Sequence, residues 1–372
     1  MVSPISPLAS YAAPDSLPTM SRRTFLIAGL LTTVFGLEEL PLETNEVACL
    51  WLLHPRLDRQ EHMAEVATAI LSDWQARRGQ LLQSSAGNGN APTGLIAVTL
   101  DQRNHGSRLV DPQANEVWRS GNPRHAQDMF SIFQGTARDV SSLMDYLPSY
   151  LFPMSEKVIT RHLVLGISLG GHAVWTALLH EPRLTAGVSI VGGLDYVNLM
   201  ADRARLSKLS SWTNSDPPGS KFLGSEHFPT SLLEAVRKYD VAAFLLSHTN
   251  LPAKDAALKE SPLPDPSEED KQRLRPVLSR HLGGKRILQI SGGADKLVPY
   301  HRYEAILAWL KKAIAPGGWC ADANIHLEDL VFENVGHEFT APMMAEVQRF
   351  IAETLSASGQ QTAKSVVREA RI

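Results

Sequence analysis

The 372-residue sequence predicts an α/β fold built on a mostly parallel β-sheet. From position 47 onward, short apolar runs rich in β-branched residues alternate with longer stretches of helical periodicity. This alternation is typical of parallel strands joined by crossover helices. With 44% hydrophobic and 20% charged residues, the chain has the composition of a globular protein and the length to bury a large core.

The predicted elements follow one another in a regular order. The strands are expected at 47–53, 94–100, 162–167, 186–192, 286–291 and 327–333. The helices are expected near 60–78, 126–148, 169–180, 301–314 and 341–355. Ahead of them, "TFLIAG" and "TTVFGL" predict a β-hairpin that opens the fold. Two arginines before this short apolar run imitate a signal sequence, but Thr32 and Thr33 interrupt the run and no small-residue cleavage site follows it.

One long insertion interrupts this order. About 90 residues separate the fourth predicted strand from the fifth, far more than a single crossover needs. They include two helical stretches, "DYVNLMADRARLSKL" and "TSLLEAVRKYDVAAFLLSH", and a connector rich in proline and charge, "KESPLPDPSEEDKQ". We interpret the insertion as a helical cap over the sheet. The alternative is a surface extension that does not contact the substrate.

The chain as a whole divides into five predicted parts. They are a disordered N-terminal segment (1–22), a first part of the core (23–196), the helical cap insertion (197–284), a second part of the core (285–356) and a flexible C-terminal tail (357–372). Met20 is an alternative start of the chain. The terminal Ala-Arg-Ile loosely resembles a peroxisomal address, and the alternative is a frayed tail.

Charge and cysteine content argue against several classes of protein. The 36 basic and 39 acidic residues give a net charge of −3 without a long basic block, so nucleic acid is not an expected partner. Cys49 and Cys320 cannot form a disulfide framework or a four-ligand zinc site by themselves, which favours a reducing, cytoplasmic location. No apolar run reaches the roughly 18 residues of a membrane-spanning helix, so no transmembrane segment is expected.

The stretch "GISLGG" is the first candidate functional motif. It places Ser168 in a G-x-S-x-G pattern between Gly166 and Gly170, after an apolar strand and before a helical stretch. Glycines at these positions allow a sharp strand-to-helix turn that exposes the serine at the edge of the sheet. Because a serine hydroxyl is a weak nucleophile, it needs a base, an acid that orients the base, and donors for the oxyanion. The alternative role for Ser168 is that of a structural turn residue.

Later strands supply candidates for the acid and the base. Asp295 follows the apolar strand in "RILQISGGADKLVP", and His337 follows the last strand in "LVFENVGHEFTAP". The order serine, aspartate, histidine is the one expected when a nucleophile elbow follows a sheet strand. Asp295 would orient the imidazole, and His337 would take and return the serine proton. The alternatives are a turn aspartate and an ordinary loop histidine.

These residues resemble the α/β-hydrolase superfamily over nearly the whole chain, from about 24 to 356. "ISLGGHAVW" with "GGLDYVNLM" is similar to esterases of the branch that includes prolyl-oligopeptidase-like and dienelactone-hydrolase-like proteins. The resemblance implies an α/β-hydrolase fold, with helices on both faces of the sheet and a helical cap. It also implies that Ser168, Asp295 and His337 are nucleophile, acid and base, with no cofactor and no metal.

The same resemblance points to two oxyanion donors. One is the backbone N–H of Leu169, directly after the nucleophile. In "LLHPRLD", His54 matches the family's histidine, Pro55 replaces its glycine, and Arg56 takes the second donor position. Proline has no N–H and a fixed φ, so the path of this loop is constrained, although Arg56 can still donate. The alternative is a reshaped loop with narrow or weak activity.

Other polar and aromatic residues are expected to be structural. In "DQRNHGSR", the resemblance implies that Asp101, Arg103 and His105 brace the fold. A metal site at Asp101 and His105 is the alternative, but no third ligand with suitable spacing is evident. His172 is expected to pack on the helix after the serine, because chain order favours His337 as the base. Trp175 is expected in the core.

The sequence therefore predicts a serine hydrolase that cleaves a carboxylic ester, or a thioester, of a small and fairly hydrophobic molecule. The reaction would pass through an acyl-enzyme and need no cofactor. Trp212 and Phe222, within the predicted cap insertion, favour a hydrophobic substrate. Two alternatives remain: an acyltransferase that uses the same three residues, and a non-catalytic ligand-binding relative.

Overall fold

The computed structural model describes residues 6–12, 17–84, 93–259, 261–357 and 366–372. Its strands are β1 (Arg22–Ile27), β2 (Leu30–Phe35), β3 (Glu46–Leu53), β4 (Gly94–Leu100), β5 (Val158–Ile167), β6 (Leu184–Ile190), β7 (Arg286–Gly292), β8 (His326–Phe332) and β9 (Val366–Arg371). Its α-helices are α1 (Ala64–Ser84), α2 (His125–Leu151), α3 (Leu169–His180), α4 (Tyr196–Ser207), α5 (Ser210–Thr213), α6 (Thr230–Tyr239), α7 (Val241–Ser247), α8 (Glu268–His281), α9 (Glu304–Ile314) and α10 (Ala341–Ser356). Short 3-10 helices span Pro7–Ser10, Gln60–Met63, Gly106–Arg108, Pro112–Asn115, Trp118–Ser120, Pro252–Lys254, Tyr300–Arg302 and Ala321–Ala323.

The described strands form one sheet in the order β1-β2-β4-β3-β5-β6-β7-β8-β9. The predicted hairpin is present, since β1 pairs antiparallel with β2, and β2 in turn pairs antiparallel with β4. Every pair from β4 to β9 is parallel. The α/β fold with a mostly parallel sheet is confirmed.

The sheet is buried on both faces, because adjacent residues of its central strands join different cores. Trp51 and Val164 pack into the core that contains side chains of α2, α3 and α9. Leu50 and Leu165 point the opposite way, into the core that contains side chains of α1 and α10. This two-sided burial accounts for the nearly continuous apolar runs in the sequence. Within the described residues, no helix combines the length and the apolar character that a membrane crossing requires.

The N-terminal segment differs from its predicted disorder where it is described. Residues 1–5 and 13–16 of the predicted segment 1–22 lie outside the described residues. The ring of Tyr11 lies 5.3 Å from that of Phe339, and the Phe339 N–H donates to the Pro7 carbonyl at 2.9 Å. Met20 is also buried. The prediction of disorder is wrong for 6–12 and 17–22. The composition of this segment favoured disorder, but contacts with residues far away in the sequence hold it in place.

The C-terminal tail also differs from the prediction. Residues 358–365 of the predicted tail lie outside the described residues, but Val366–Arg371 forms β9, parallel to β8. Arg368 Nη1 lies 2.9 Å from Glu328 Oε2, and Arg371 Nη1 lies 2.8 Å from Glu333 Oε1. The predicted flexible tail is therefore wrong for 366–372. The charged sequence is suited to an edge strand, which charge protects from unwanted pairing.

The long insertion between β6 and β7 contains α4 to α8. The stretch predicted as one helix from 230 to 248 is divided at Asp240, whose carboxylate accepts from the Ala243 N–H at 3.0 Å and caps α7. The stretch predicted as a connector contains the start of α8, where Ser267 and Asp270 form a capping box. That pattern, S-x-x-D before a helix, is a local signal that identifies the start of α8.

Candidate active site

Ser168 lies at a sharp turn between β5 and α3. Its φ of 56° and ψ of −110° lie outside the regions that a non-glycine residue normally adopts. The Ser168 N–H donates to the Ile190 carbonyl of β6 at 2.8 Å, which ties the turn to the neighbouring strand. Leu169 follows directly as the first residue of α3. The chain thus has the strand–turn–helix arrangement that a nucleophile elbow requires.

The glycines on either side of Ser168 are required by close backbone packing. A Cβ at Gly166 would lie 2.2 Å from the Gly170 carbonyl oxygen, and a Cβ at Gly170 would lie 2.2 Å from the Leu53 carbonyl oxygen. Gly171 also packs closely against backbone, since a Cβ there would lie 2.9 Å from the Gly192 Cα. Any side chain at these positions would push α3 away from β3, β5 and β6 and displace the serine.

Three side chains predicted to act together are joined by hydrogen bonds. Ser168 Oγ lies 2.8 Å from His337 Nε2, and His337 Nδ1 lies 2.7 Å from Asp295 Oδ2. The other carboxylate oxygen of Asp295 accepts from the N–H groups of Leu297 and Val298 at 2.8 and 2.9 Å. With Nδ1–H donating to the carboxylate, Nε2 is free to accept the serine proton.

The parallel sheet explains why residues so far apart in sequence meet. Ser168 follows β5, Asp295 follows β7 and His337 follows β8. The carboxyl ends of parallel strands lie along one edge of a sheet, where loops can bring their side chains together. The Asp295 side chain is fully buried, and 11% of the His337 side chain is exposed. This arrangement can transfer a proton from the serine to the imidazole while keeping the carboxylate away from water.

The two predicted oxyanion donors belong to residues that line one cavity beside Ser168. The N–H of Leu169 is among the first of α3, where helix geometry provides no acceptor within the helix. Arg56 lines the same cavity, and its Nη1 donates to the Asn115 carbonyl at 2.5 Å. Helix N-termini also attract negative charge, which suits an oxyanion at this place.

Buried His54 holds the loop that carries Arg56. Its Nδ1–H donates to the Pro55 carbonyl at 2.7 Å, and its Nε2 accepts the Gln102 N–H at 2.9 Å. Burial lowers the pKa of His54 to about 4, so the ring is neutral near pH 7. Pro55 thus takes part in the loop through its carbonyl, although it lacks an N–H.

The cavity has a volume of about 180 Å³ and is mainly apolar. Its lining consists of Ser6, Pro7, Arg56, Val117, Trp118, Arg119, His125, Met129, Ser168, Leu169, Leu199, Asp202, Arg203, Leu206, Ser207, Lys296, Leu297, Val298, Pro299 and His337. From the predicted cap insertion (197–284), every lining residue belongs to α4, which therefore forms one wall.

Trp212 and Phe222, the two aromatic residues that favoured a hydrophobic substrate, lie behind the cavity wall. Phe222 packs edge-on against Trp118, with ring centroids 6.2 Å apart, and Trp212 lies 6.1 Å from Phe222. Neither Phe222 nor Trp212 is among the lining residues, whereas Trp118 is. Trp118 therefore provides the aromatic surface of the cavity, and Phe222 and Trp212 pack behind it.

The loop after β4 has bracing contacts. Asp101 Oδ2 accepts from the N–H and hydroxyl of Ser107 at 2.8 and 2.7 Å. Arg103 forms a two-pronged pair with Asp139, at 3.1 and 2.8 Å, and His105 Nδ1–H donates to the Arg103 carbonyl at 2.9 Å. Among the described residues, no group of three or more His, Cys, Asp or Glu side chains is placed to hold a metal ion.

His172 and Trp175 are buried in α3, where His172 Nδ1 and Trp175 Nε1 have partners other than the serine hydroxyl. His172 Nδ1 lies 2.7 Å from the Gly193 carbonyl oxygen, and its ring stacks on Phe133 with centroids 5.6 Å apart. Burial lowers the pKa of His172 to about 3. Trp175 Nε1–H donates to Gln289 at 2.8 Å inside the core. It is His337, and not His172, that contacts Ser168 Oγ.

Sequence reasoning missed one prominent residue of the cavity, Arg203 of α4. Its Nη1 donates to His125 Nε2 at 3.1 Å, and its Nη2 donates to the Leu297 carbonyl at 2.9 Å. A signal was present in the sequence. Residues three or four apart share one face of a helix, so Leu199, Arg203 and Leu206 form a mostly apolar face interrupted by one guanidinium.

Comparisons with known proteins identify similar folds. No protein-family model matches the chain, and no curated protein matches it. A Thermus thermophilus protein, TT1662, is similar over 91% of this chain and 100% of its own, with 18% identity and a TM-score of 0.53. A Pyrococcus horikoshii acylaminoacyl peptidase has 14% identity and a TM-score of 0.44 over 92% of this chain and 42% of its own. The Pyrococcus furiosus esterase Pf2001 has 11% identity and a TM-score of 0.43 over 96% and 94%.

The fold now follows from the chain's own architecture and from a similarity that extends over the whole of TT1662. The parallel sheet with helices on both faces carries the elbow serine after β5, an aspartate after β7 and a histidine after β8. This order of residues, with the serine on a strand–turn–helix, distinguishes the fold from other sheets wound by helices. The chain has the α/β-hydrolase fold.

Proposed function

We propose that the protein is a serine hydrolase that cleaves a carboxylic ester, or a thioester, of a small and fairly hydrophobic molecule. The observation that carries the proposal is the unbroken hydrogen-bonded series from Ser168 Oγ through His337 to Asp295. A nucleophile within hydrogen-bond reach of a base, itself oriented by a third group, is the arrangement that activates a serine. The mainly apolar cavity beside it supports a substrate with apolar parts.

In the first half of the proposed reaction, His337 Nε2 takes the proton of Ser168 as Oγ attacks the substrate carbonyl carbon. The N–H groups of Leu169 and Arg56 donate to the oxyanion that forms. Asp295 stabilises the positive imidazolium and keeps its ring in place. As the tetrahedral intermediate collapses, the bond to the leaving group breaks, and His337 gives its proton to the departing alcohol or thiol.

The second half repeats these steps with water. The acyl group is now bound to Ser168 Oγ as an ester, and His337 takes a proton from the attacking water. The acid is released when the bond from the acyl carbon to Oγ breaks and the proton returns to the serine. No redox change and no external proton acceptor is needed, because each proton that His337 accepts is returned within the same half-reaction.

A series of 4-nitrophenyl esters and matching thioesters of increasing acyl length tests the proposal. We expect the protein to hydrolyse them with kcat/KM highest for short or medium acyl chains, since the cavity is only about 180 Å³ in volume. Heat-unfolded protein serves as the control. Hydrolysis no faster than in buffer across the series would contradict the proposal and favour a ligand-binding protein. Product analysis with an added alcohol separates hydrolysis from acyl transfer.

A further inference from the structure

The cavity beside Ser168 contains an excess of positive side chains. Its cationic lining residues are Arg56, Arg119, Arg203 and Lys296, and its acidic lining residue is Asp202. Proton transfer between serine and histidine does not require such a set. Arg119 and Lys296 are exposed, whereas Arg56 and Arg203 are half-buried, and a cation removed from water is costly to hold unless an anion accompanies it. The excess of positive charge among the lining residues therefore indicates which kind of ligand the cavity binds.

The carboxylate of Asp202 is already engaged by arginines that do not line the cavity. Arg205 donates to Asp202 Oδ1 from Nη2 at 2.7 Å and from Nε at 3.1 Å. Arg302 Nη2 lies 3.1 Å from the same oxygen. Two guanidinium groups thus share one carboxylate oxygen. Asp202 favours the charged form of Arg203 through space, but within the described residues it forms ion pairs with Arg205 and Arg302 and with none of the four lining cations.

Arg203 has only neutral partners. Its Nη1 donates to His125 Nε2, and its Nη2 donates to the Leu297 carbonyl. His125 Nδ1–H donates to the Glu116 carbonyl at 2.9 Å, and burial holds the pKa of His125 well below its usual value, so this ring is neutral. Among the described residues, no carboxylate forms an ion pair with Arg203. Burial, followed by repulsion from Arg56, lowers the pKa of Arg203 to about 10.

Arg56, which also lines the cavity, likewise has a neutral hydrogen-bond partner. Its Nη1 donates to a neutral carbonyl, that of Asn115. No carboxylate in the described part of the chain lies within ion-pair distance of Arg56, although Glu116 is near enough to favour its charged form. Burial lowers the pKa of Arg56, as it does for Arg203. Two guanidinium groups that lack an ion-pair partner therefore line one pocket beside the nucleophile.

We infer that the substrate carries a carboxylate, separated by a short apolar spacer from the ester carbonyl, and that Arg203, assisted by Arg56, binds this carboxylate. The inference rests on the proposed function and defines its substrate class as half-esters or half-thioesters of dicarboxylic acids. Guanidinium groups bind carboxylates through strong, charge-assisted hydrogen bonds. Trp118, Met129 and Leu199 provide apolar surface for the spacer.

A matched pair of esters tests this inference: the 4-nitrophenyl half-ester of adipic acid, and its neutral counterpart in which the free carboxyl is a methyl ester. We expect the protein to prefer the anionic ester by roughly tenfold or more in kcat/KM, as charge-assisted hydrogen bonds are worth at least that much in affinity. Arg203→Met should reduce this preference to near unity. Because both esters have the same leaving group, general damage to the enzyme cancels in the ratio.

Two further variants complete the design. Arg203→Lys keeps a cation without the planar fork, and should retain part of the preference. Arg237→Met removes an exposed arginine outside the cavity that pairs with Asp255 at 2.7 Å, and should keep the full preference. Equal kcat/KM for the two esters in the wild type, or an unchanged preference in Arg203→Met, overturns the inference and leaves the proposed hydrolase intact. If the protein hydrolysed neither of the two esters and no ester of the chain-length series, both the inference and the proposed function would be overturned.

Discussion

Replacing Ser168 with alanine is expected to lower kcat/KM for a 4-nitrophenyl ester by roughly 10⁴-fold to 10⁶-fold. The substitution removes the atom that bonds to the substrate carbonyl, so the remaining groups can only hold the substrate near water. The backbone of the turn should persist, because its contacts are made by the Ser168 N–H, by Gly166 and by Gly170. The measurement is steady-state hydrolysis, with thermal unfolding recorded for both proteins.

Ser247→Ala is the matched control for this experiment. Ser247 is an exposed serine at the end of α7, and its hydroxyl donates to the Phe244 carbonyl at 2.7 Å. Its removal should leave kcat/KM within about twofold of the wild type, as for most exposed substitutions. If Ser168→Ala kept more than about a tenth of the wild-type kcat/KM, a loss far below that expected for a nucleophile, another residue would have to be the nucleophile.

Replacing His337 with glutamine is expected to cause a loss of similar size, roughly 10⁴-fold to 10⁶-fold in kcat/KM. Glutamine is polar and can still hydrogen-bond, but its amide cannot take the serine proton near neutral pH. We expect the loss mainly in kcat, with a smaller effect on KM, because the imidazole acts on the nucleophile. Fixed-time assays at high protein concentration measure the residual rate of hydrolysis. His62→Gln, which changes an exposed histidine, is the control.

A double variant tests whether Ser168 and His337 act as one unit. Groups that act as one unit have strongly non-additive effects, so Ser168→Ala combined with His337→Gln should be about as slow as either single variant. If the losses in kcat/KM of the two single variants multiplied in the double variant, the two residues would act independently. We do not expect this, because Ser168 Oγ and His337 Nε2 are only 2.8 Å apart. Near-normal activity of His337→Gln would show that a different base serves the serine.

Features encoded by local pattern could be predicted from the sequence. The buried strands appear as apolar runs because the sheet is covered on both faces. The elbow at Ser168 is visible because its glycines must be two residues away on either side. Asp295 and His337 could then be found by chain order, since each follows an apolar strand whose carboxyl end lies at the same edge.

Features that depend on distant contacts could not be predicted in this way. Strand β9 has no apolar run, and it exists because β8 offers an edge with which it pairs. Pro7 and Tyr11 are held by Phe339, more than three hundred positions away. The neutral surroundings of Arg203 are also a tertiary property: the sequence shows a guanidinium on a mostly apolar helix face, but not that its hydrogen-bond partners are a neutral histidine and a carbonyl.

The central claim is that Ser168 is a nucleophile activated by His337, and covalent labelling tests it most directly. The protein is treated with a fluorophosphonate, digested, and the modified peptide is sequenced by mass spectrometry. We expect one phosphonyl group on Ser168, and none on that peptide in Ser168→Ala or after unfolding. An unlabelled wild-type protein that is fully folded, or a label on a different residue, would contradict the claim.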